Sequence, residues 1–423
     1  MEIREGYKQT EVGVIPEDWE VTTLEDLSMP QGLVRGPFGG SLKKEYFVQA
    51  GYKVYEQRNA IYKEIRVGNY YIDKKKYDEL IRFSVKHGDF IVSCSGTIGK
   101  IYQIPRRYEQ GVINQALLKI TLDYNKIVDK YFEIYFNWDK FQNKIIDNTQ
   151  GGAMKNLVGM DVFKKTLMPR PPYPEQQAIA TALSDMDGLI NSLQKLIGKK
   201  KNIKQGAMQE LLTGKRRLEG FSGEWVEVLL KDVVKFFKGK GFAKSDISNG
   251  GKYKCIHYGE LFTVYKEKIK SVISRTNNNE GPFLSKENDV LMPTSDVTPN
   301  GLAKASCIQE NNVILGGDIL IIRSGDNIDG VFLSNVIRYN ESQVLKLVSG
   351  ITVYHLYASD MKNFYFYCPP TKAEQAAIAN ILSDMDSEIE ALERKLDKYR
   401  DIKQGMMQEL LTGRIRLLEE VVQ

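Results

Sequence analysis

The sequence predicts an α+β protein built as an internal repeat, in which two globular domains are joined by two long antiparallel helices forming an intramolecular coiled coil. Three observations carry this. Residues 175–214 and 374–413 align without a gap at a constant offset of 199, and 24 of 40 positions are identical. Each span keeps its apolar residues mostly three and four apart, the stripe of a coiled-coil seam. Ahead of each lies a stretch of short β-rich runs punctuated by Gly and Asn turns.

Residues 1–172 hold a lead-in segment and the first globular domain. Ile15-Pro16-Glu17-Asp18-Trp19-Glu20-Val21 near the start is echoed by Phe221-Ser222-Gly223-Glu224-Trp225-Val226-Glu227-Val228 after the first long helix, so both halves open alike. From Met29 to about Tyr124, runs such as Tyr52–Tyr55 and Phe90–Cys94 alternate with turn residues. An aromatic, amphipathic stretch over 129–146 predicts one helix covering that sheet. Residues 215–370 repeat the plan. Gly88-Asp89-Phe90-Ile91 answers Asn288-Asp289-Val290-Leu291 at an offset of 200, and Gly151, Leu157, Asp161 and Pro171 match Gly350, Leu356, Asp360 and Pro370 at 199. Between these anchors the domains share little sequence.

The spacer helices are expected over 173–214 and 371–416, leaving a tail of 417–423. Pro174 suits a first helical position, Thr371 with Glu374 has the form of a capping box, and Gly214 and Gly413 stand where left-handed C-terminal caps are wanted. The seam runs through Leu183, Met186, Ile190, Leu193 and Ile197 toward Ile203, and through Leu382, Met385, Ile389, Leu392 and Leu396 toward Ile402. Lys200 stands where the second copy has Tyr399, which weakens one position. About 40 residues at a rise of ~1.5 Å make a rod of ~60 Å, and two such stripes in one chain most economically bury each other.

A chain of 423 residues has room for two or three domains, and 42 % hydrophobic with 27 % charged residues is ordinary globular composition. The excess of 59 Lys and Arg over 54 Asp and Glu permits a polyanionic partner without requiring one. Four scattered cysteines indicate neither a disulfide framework nor a zinc site. The N-terminus lacks the apolar core of a signal peptide, and no apolar run approaches the ~18 residues of a membrane span, so a cytoplasmic location without membrane contact is expected.

Intrinsic chemistry is hard to place on this chain. There is no phosphate-cradling GxxxxGK[ST] loop, and no GxGxxG lies between a strand and a helix. Arg170-Pro171-Pro172-Tyr173 has the proline-proline-aromatic end of a base-gripping methyltransferase motif, but Arg cannot supply the acceptor required ahead of it. Glu393-Arg394-Lys395 lies mid-helix, where it reads as coiled-coil charge rather than a nuclease site. No residue is assigned as catalytic or metal-binding. Gly-rich loops mixing basic, hydroxyl and aromatic residues are better candidates, because backbone amides and short side chains there can approach phosphates while longer ones reach base edges. In the first domain they supply Arg35, Ser41, Lys43, Lys44, Ser95, Thr97, Lys100, Lys155 and Asn156. In the second they and two adjoining segments supply Lys238, Lys240, Lys244, Ser295, Arg323, Thr352 and Tyr354.

As a combination, these motifs resemble the specificity subunits of type I restriction–modification enzymes. The resemblance spans essentially the whole chain. It rests on the segment from Lys8 to Trp19, on Gly36-Pro37-Phe38-Gly39, on Ser93–Lys100 with Asn114–Lys119, and on the twice-occurring Glu-Gln run into a helix ending Leu-Leu-Thr-Gly. It implies that the globular parts are target-recognition domains, each reading one half of a bipartite double-stranded DNA site, with the paired helices fixing the gap. It further implies two modification subunits docked on the helices and lead-in segments, and restriction subunits beyond them. S-adenosylmethionine, ATP and Mg would then belong to those partners, with no cofactor bound by this chain. Two other readings stay open at this level: a self-sufficient DNA-modifying enzyme, and a coiled-coil adaptor with two protein-binding domains. The adaptor would lack the steep salt dependence that phosphate neutralisation imposes on DNA affinity.

Overall fold

The computed structural model describes residues 3–147, 156–241 and 243–417. The chain divides into two compact units, Met1–Ser192 with Leu396–Gln423, and Leu193–Lys395. Each unit therefore contains one globular domain, part of the helix that follows it, and part of the helix from the other copy.

In the first unit the lead-in forms a hairpin, Tyr7–Thr10 on Gly13–Pro16, and Glu20–Thr23 pairs with Leu167–Arg170, so the start of the domain is bound to its end. The main sheet is antiparallel, in the order Ser28–Arg35, Leu117–Leu122, Phe90–Ser93, Ile101–Gln103. A second sheet joins Gly111–Ile113 in parallel to Tyr52–Tyr55, followed by Tyr71–Ile72 and Phe47–Val48. The single helix expected over 129–146 is two, Asp129–Phe136 and Asp139–Ile145. The break lies at Trp138, whose extended backbone (φ −72°, ψ 131°) lets its carbonyl accept the N–H of Phe141 and of Gln142 at 2.8 and 2.9 Å. Both helices lay aromatic side chains on the sheet: Phe132, Phe136 and Phe141 share a core with Phe90, Val92 and Leu118.

Glu133, on the first of these helices, binds Lys63 and Lys130 at 2.8 and 2.9 Å. Burial works against its ionisation, but the two lysines outweigh burial and hold the carboxyl below its ordinary 4.5. A depressed carboxyl stabilises the fold above the unfolded value, and that contribution disappears as pH falls through the folded value. Glu133→Gln is therefore expected to be less stable than the wild type at pH 7 and to converge with it below about pH 4.5, the ordinary value of this carboxyl. Urea midpoints at pH 7 and pH 3 measure this, and a constant difference at both would rule it out.

The second unit follows the same plan. Val226–Leu229 pairs with Tyr365–Cys368, and the main sheet runs Val234–Lys238, Ile319–Ser324, Asp289–Pro293, Ser306–Ile308, Lys268–Ile269. Ile314–Leu315 lies parallel to Tyr253–Ile256, as Gly111–Ile113 lies on Tyr52–Tyr55. The four-residue match at offset 200 is a structural turn: Lys86 N–H donates to Asp89 at 2.9 Å and Lys286 N–H to Asp289 at 2.8 Å. Gly88 and Asn288 beside them both adopt positive φ, +89° and +74°.

The long helices run Tyr173–Leu211 and Lys372–Leu410. In the first unit Ile179 and Leu183 share a core with Leu410 and Leu411, and Lys403 Nζ lies 2.6 Å from Asp187. In the second, Ile378 and Leu382 share a core with Leu211 and Leu212, and Lys204 Nζ reaches both Asp386 oxygens at 2.6 Å. Rising numbers on one helix meet falling numbers on the other, so the pairing is antiparallel in each unit. Of the seam, Leu183, Ile190, Leu193, Ile197, Leu382, Ile389 and Leu396 are buried, and Met186, Met385 and Leu392 are half-buried.

Two extensions of the stripe are corrected: Ile203 is 47 % and Ile402 38 % exposed. Each lies six residues beyond the last buried seam position, and six steps at 3.6 residues per turn carry a side chain about 120° off the stripe. Their neighbours Lys204 and Lys403 face the partner helix instead. Lys200 pairs with Glu388 at 2.6 Å.

Thr371 Oγ1 accepts the Glu374 N–H at 3.3 Å, completing half of the expected capping box. The Glu374 carboxylate binds Arg217 at 2.6 and 2.8 Å. At the other end, the Arg414 N–H bonds the Glu409 carbonyl at 2.9 Å and the Gly413 N–H bonds that of Leu410 at 3.2 Å, the paired closure of a left-handed cap.

Candidate nucleic-acid interface

Antiparallel pairing decides which loops meet. In the first unit Arg35 opposes Leu118, Ser93 opposes Leu117, and Val92 opposes Ile101. The end of Ser28–Arg35, the end of Phe90–Ser93 and the start of Leu117–Leu122 therefore lie at one edge of the sheet. The segments following Arg35 and Ser93, and the turn Asn114–Ala116, gather there.

Close packing locks them together. Gly36 donates its N–H to the Leu117 carbonyl at 2.8 Å, and a Cβ added to it would lie 1.8 Å from the Asn114 carbonyl oxygen. Ser93 closes the other loop: its hydroxyl donates to the Thr97 carbonyl at 2.6 Å and accepts the Lys100 N–H at 3.0 Å. Gln142, from the second of the two helices, donates to the Gly99 carbonyl at 3.3 Å. On this base Thr97, Lys100, Lys43 and Lys44 are exposed, and Arg35, Ser41 and Ser95 are half-buried. Asn156 lies on the two-residue strand Asn156–Leu157, where Asp147 opposes it, and Lys155 lies outside the described residues.

The second unit builds the same edge. Lys238 opposes Leu320 and Pro293 opposes Ile319. Gly239 donates to the Ile319 carbonyl at 3.0 Å, and its added Cβ would lie 1.9 Å from the Gly316 carbonyl oxygen. Beyond Pro293, Ser295 pairs with His355 and Asp296 with Tyr354, which brings Ser295, Thr352 and Tyr354 together near the exposed Lys238 and Lys240. Lys244 follows in a short helical turn, Lys244–Asp246, also exposed.

Arg323 is not part of this edge. It opposes Asp289 and Lys235, at the other end of the sheet, and donates to Asp289 through Nε and Nη2 at 2.8 and 2.7 Å. Its guanidinium lies over Phe237 and Phe283, 5.0 and 5.4 Å from the ring centroids. Ordinary loop chemistry made it a DNA-contact candidate, whereas the strand partner makes it a clamp on a buried aspartate.

The family model for the type I restriction modification DNA specificity domain matches residues 16–205 and again 222–398. The chain belongs to this family. It carries two copies of the DNA specificity domain, one in each half of the sequence, and its nearest functional description is that of a specificity subunit. The MjaX (putative) and MjaVIII type I restriction enzyme specificity subunits of Methanocaldococcus jannaschii are each 24 % identical to it, over 98 % of this chain and 97 and 96 % of theirs. Among solved structures, the type I S subunit from M. genitalium superposes with a TM-score of 0.58 at 15 % identity, over 97 % of this chain and 98 % of that one.

Several residues that build the specificity-domain edges and their supports stand outside the DNA-contact candidates, although Ser93, Asn114 and the Glu-Gln pairs lie in the motifs quoted above. Ser93, Asn114 and Gln142 shape the first edge. Glu175, Gln176, Glu374 and Gln375 are buried at the head of each helix; Gln176 accepts the Val128 N–H at 2.8 Å, and Gln375 that of Asp329 at 2.9 Å. A signal existed for the helix-head residues, since Glu, Gln, Asp187/Asp386 and Lys204/Lys403 are identical polar positions within the repeat. No comparable signal marks Gln142. Among the described residues no cluster of His, Cys, Asp and Glu suits a metal ion, the four cysteines are free and buried, and no helix is long and apolar enough to cross a membrane.

Proposed function

We propose that each unit reads one half of a bipartite duplex DNA site through the edge described above, and that the two long helices set the unspecified gap between the halves. In this reading the chain is the non-catalytic, cytoplasmic specificity subunit. Two modification subunits dock on its helices and lead-in segments and bring S-adenosylmethionine; restriction subunits bring ATP and Mg. The observation that carries the reading is a common scaffold under unlike loops. Gly36 and Gly239 are held the same way, yet the loops above them differ in sequence, which is what two probes for different half-sites require. Exposed lysines at both edges suit phosphate contacts, while loop polar groups supply base contacts.

Exchanging residues 28–170 for those of another member of the family, in the full chain assembled with its modification subunits, tests this. The map of methylated sites is expected to change in one half-site and to keep the other half and the gap. A map altered in both halves, or one with a new gap, would sink the reading.

A further inference from the structure

Each edge holds one large apolar side chain almost entirely in water. Phe38 is 93 % and Ile351 92 % exposed, while the other exposed large apolar residues among the described ones reach at most 72 %. Single exposed hydrophobes are common on protein surfaces. These two differ in that each adjoins a closely packed glycine at the loop edge of its own unit.

Phe38 follows the closely packed Gly36 and the buried Pro37, and its own ring lies in solvent. Ile351 lies in a turn closed by two backbone bonds, Ser349 N–H to the His355 carbonyl at 3.0 Å and His355 N–H to the Ser349 carbonyl at 2.7 Å. Gly350 makes that turn possible, with φ +116° and space for a Cβ only 2.1 Å from the Val353 carbonyl oxygen. His355 in turn pairs with Ser295, which ties the turn to the end of Asp289–Pro293. A hydrated apolar side chain presented this way gains from any surface that covers it. Lys43, Lys44 and Lys100 share the edge with Phe38, and Lys238 and Lys240 share that of Ile351, so the covering surface is anionic.

We propose that Phe38 and Ile351 are apolar wedges, each entering a base step of the half-site its unit reads while the neighbouring lysines hold the backbone. Inserted apolar side chains of this kind unstack a step at an energy that depends on its sequence, which makes them determinants of specificity as well as of affinity. The proposal rests on the assignment of these edges to DNA and adds the residues and the mode of contact.

The test uses the full chain assembled with its modification subunits, wild type and the variants Phe38→Ala, Phe38→Tyr and Ile351→Ala. Probes are a duplex carrying the site mapped by methylation and a site-free duplex of equal length. Phe38→Ala is expected to lose about tenfold or more in affinity for the site duplex, the scale of one spoiled base-pair contact, and to relax the methylation map in one half-site. Ile351→Ala should do so in the other half, and Phe38→Tyr should restore most of the loss. Affinity for the site-free duplex and its salt slope should not move, because no phosphate contact is removed. Unchanged site affinity, relaxation of the same half by both variants, or failure of either variant to assemble with the modification subunits would overturn the proposal. The last outcome would mean that a protein surface covers these side chains. A wild-type assembly that does not prefer its site duplex would instead bring down the assignment of the edges to DNA, and the wedges with it.

Discussion

Glu175→Ala is expected to destabilise the first unit by about 1–3 kcal/mol, the range for leaving a buried donor unsatisfied. The carboxylate is 2 % exposed and accepts from Trp19 Nε1 at 2.8 Å and from Arg416 Nε and Nη2 at 2.7 Å. Its removal leaves a fully buried indole N–H without an acceptor and takes from Arg416 the contact that brings the end of the second long helix onto the first domain. Arg416 keeps its bonds to Asp18 at 2.9 and 2.7 Å, which limits the loss.

Glu374 occupies the same place in the second unit with Arg217, but Trp225 Nε1 there has no hydrogen-bond partner. Glu374→Ala strands no indole N–H but leaves Arg217 on the Gly223 carbonyl where Arg416 keeps a carboxylate, so the two losses should agree within about 1 kcal/mol, one net hydrogen bond. Hydrogen exchange gives the local readout: Glu175→Ala should release protection across residues 403–417, and Glu374→Ala across 204–217. Wild-type exchange in the Glu175 variant would show that this carboxylate does not hold the returning helix.

Gly36→Ala and Gly239→Ala are expected to disable one edge each. An ideal Cβ would stand 1.8 Å from the Asn114 carbonyl oxygen in the first and 1.9 Å from that of Gly316 in the second, distances no side chain tolerates. Neither neighbour can yield freely, because Asn114 N–H is bonded to the Tyr55 carbonyl at 2.9 Å and Gly316 N–H to that of Ile256 at 3.0 Å. Overpacking against fixed backbone destabilises by ~1–3 kcal/mol or more, and the strain falls on the loops that the proposed function assigns to DNA. Each variant should lower the urea midpoint and cut site-specific affinity at least about tenfold, the scale of one lost base-pair contact. Wild-type affinity in both would remove these loops from the reading of DNA.

Much of the scaffold was legible from periodicity and repetition. The offset of 199 located both long helices within a few residues, and the apolar stripe named the seven buried seam positions, because helical spacing is written in adjacent residues. The stripe fails at Ile203 and Ile402, where consecutive three-residue steps carry an apolar residue off the buried face. The aromatic stretch over 129–146 predicts helix on sheet, as found, but not its break, because nothing in the composition of Asn137-Trp138 announces an extended residue there.

At the candidate site, residue types in loops were visible and their grouping was not. Lys100 and Arg35 are 65 positions apart, and Lys238 and Ser295 57, yet each pair shares a sheet edge. Arg323, whose loop looked no different, belongs to the opposite end and to Asp289. A lysine's direction is equally non-local: Lys204 and Lys403 turn inward because Asp386 and Asp187 come from the other helix.

Duplication, helix length and seam follow from short-range order along the chain, where each residue's face is set by the few before it. Strand order, the gathering of loops at one edge and the return of the last helical turns to the first domain depend on pairings between residues tens to hundreds apart. Those pairings are chosen by the packing of the whole core and by which buried charge finds its counter-ion, so no local pattern could announce them.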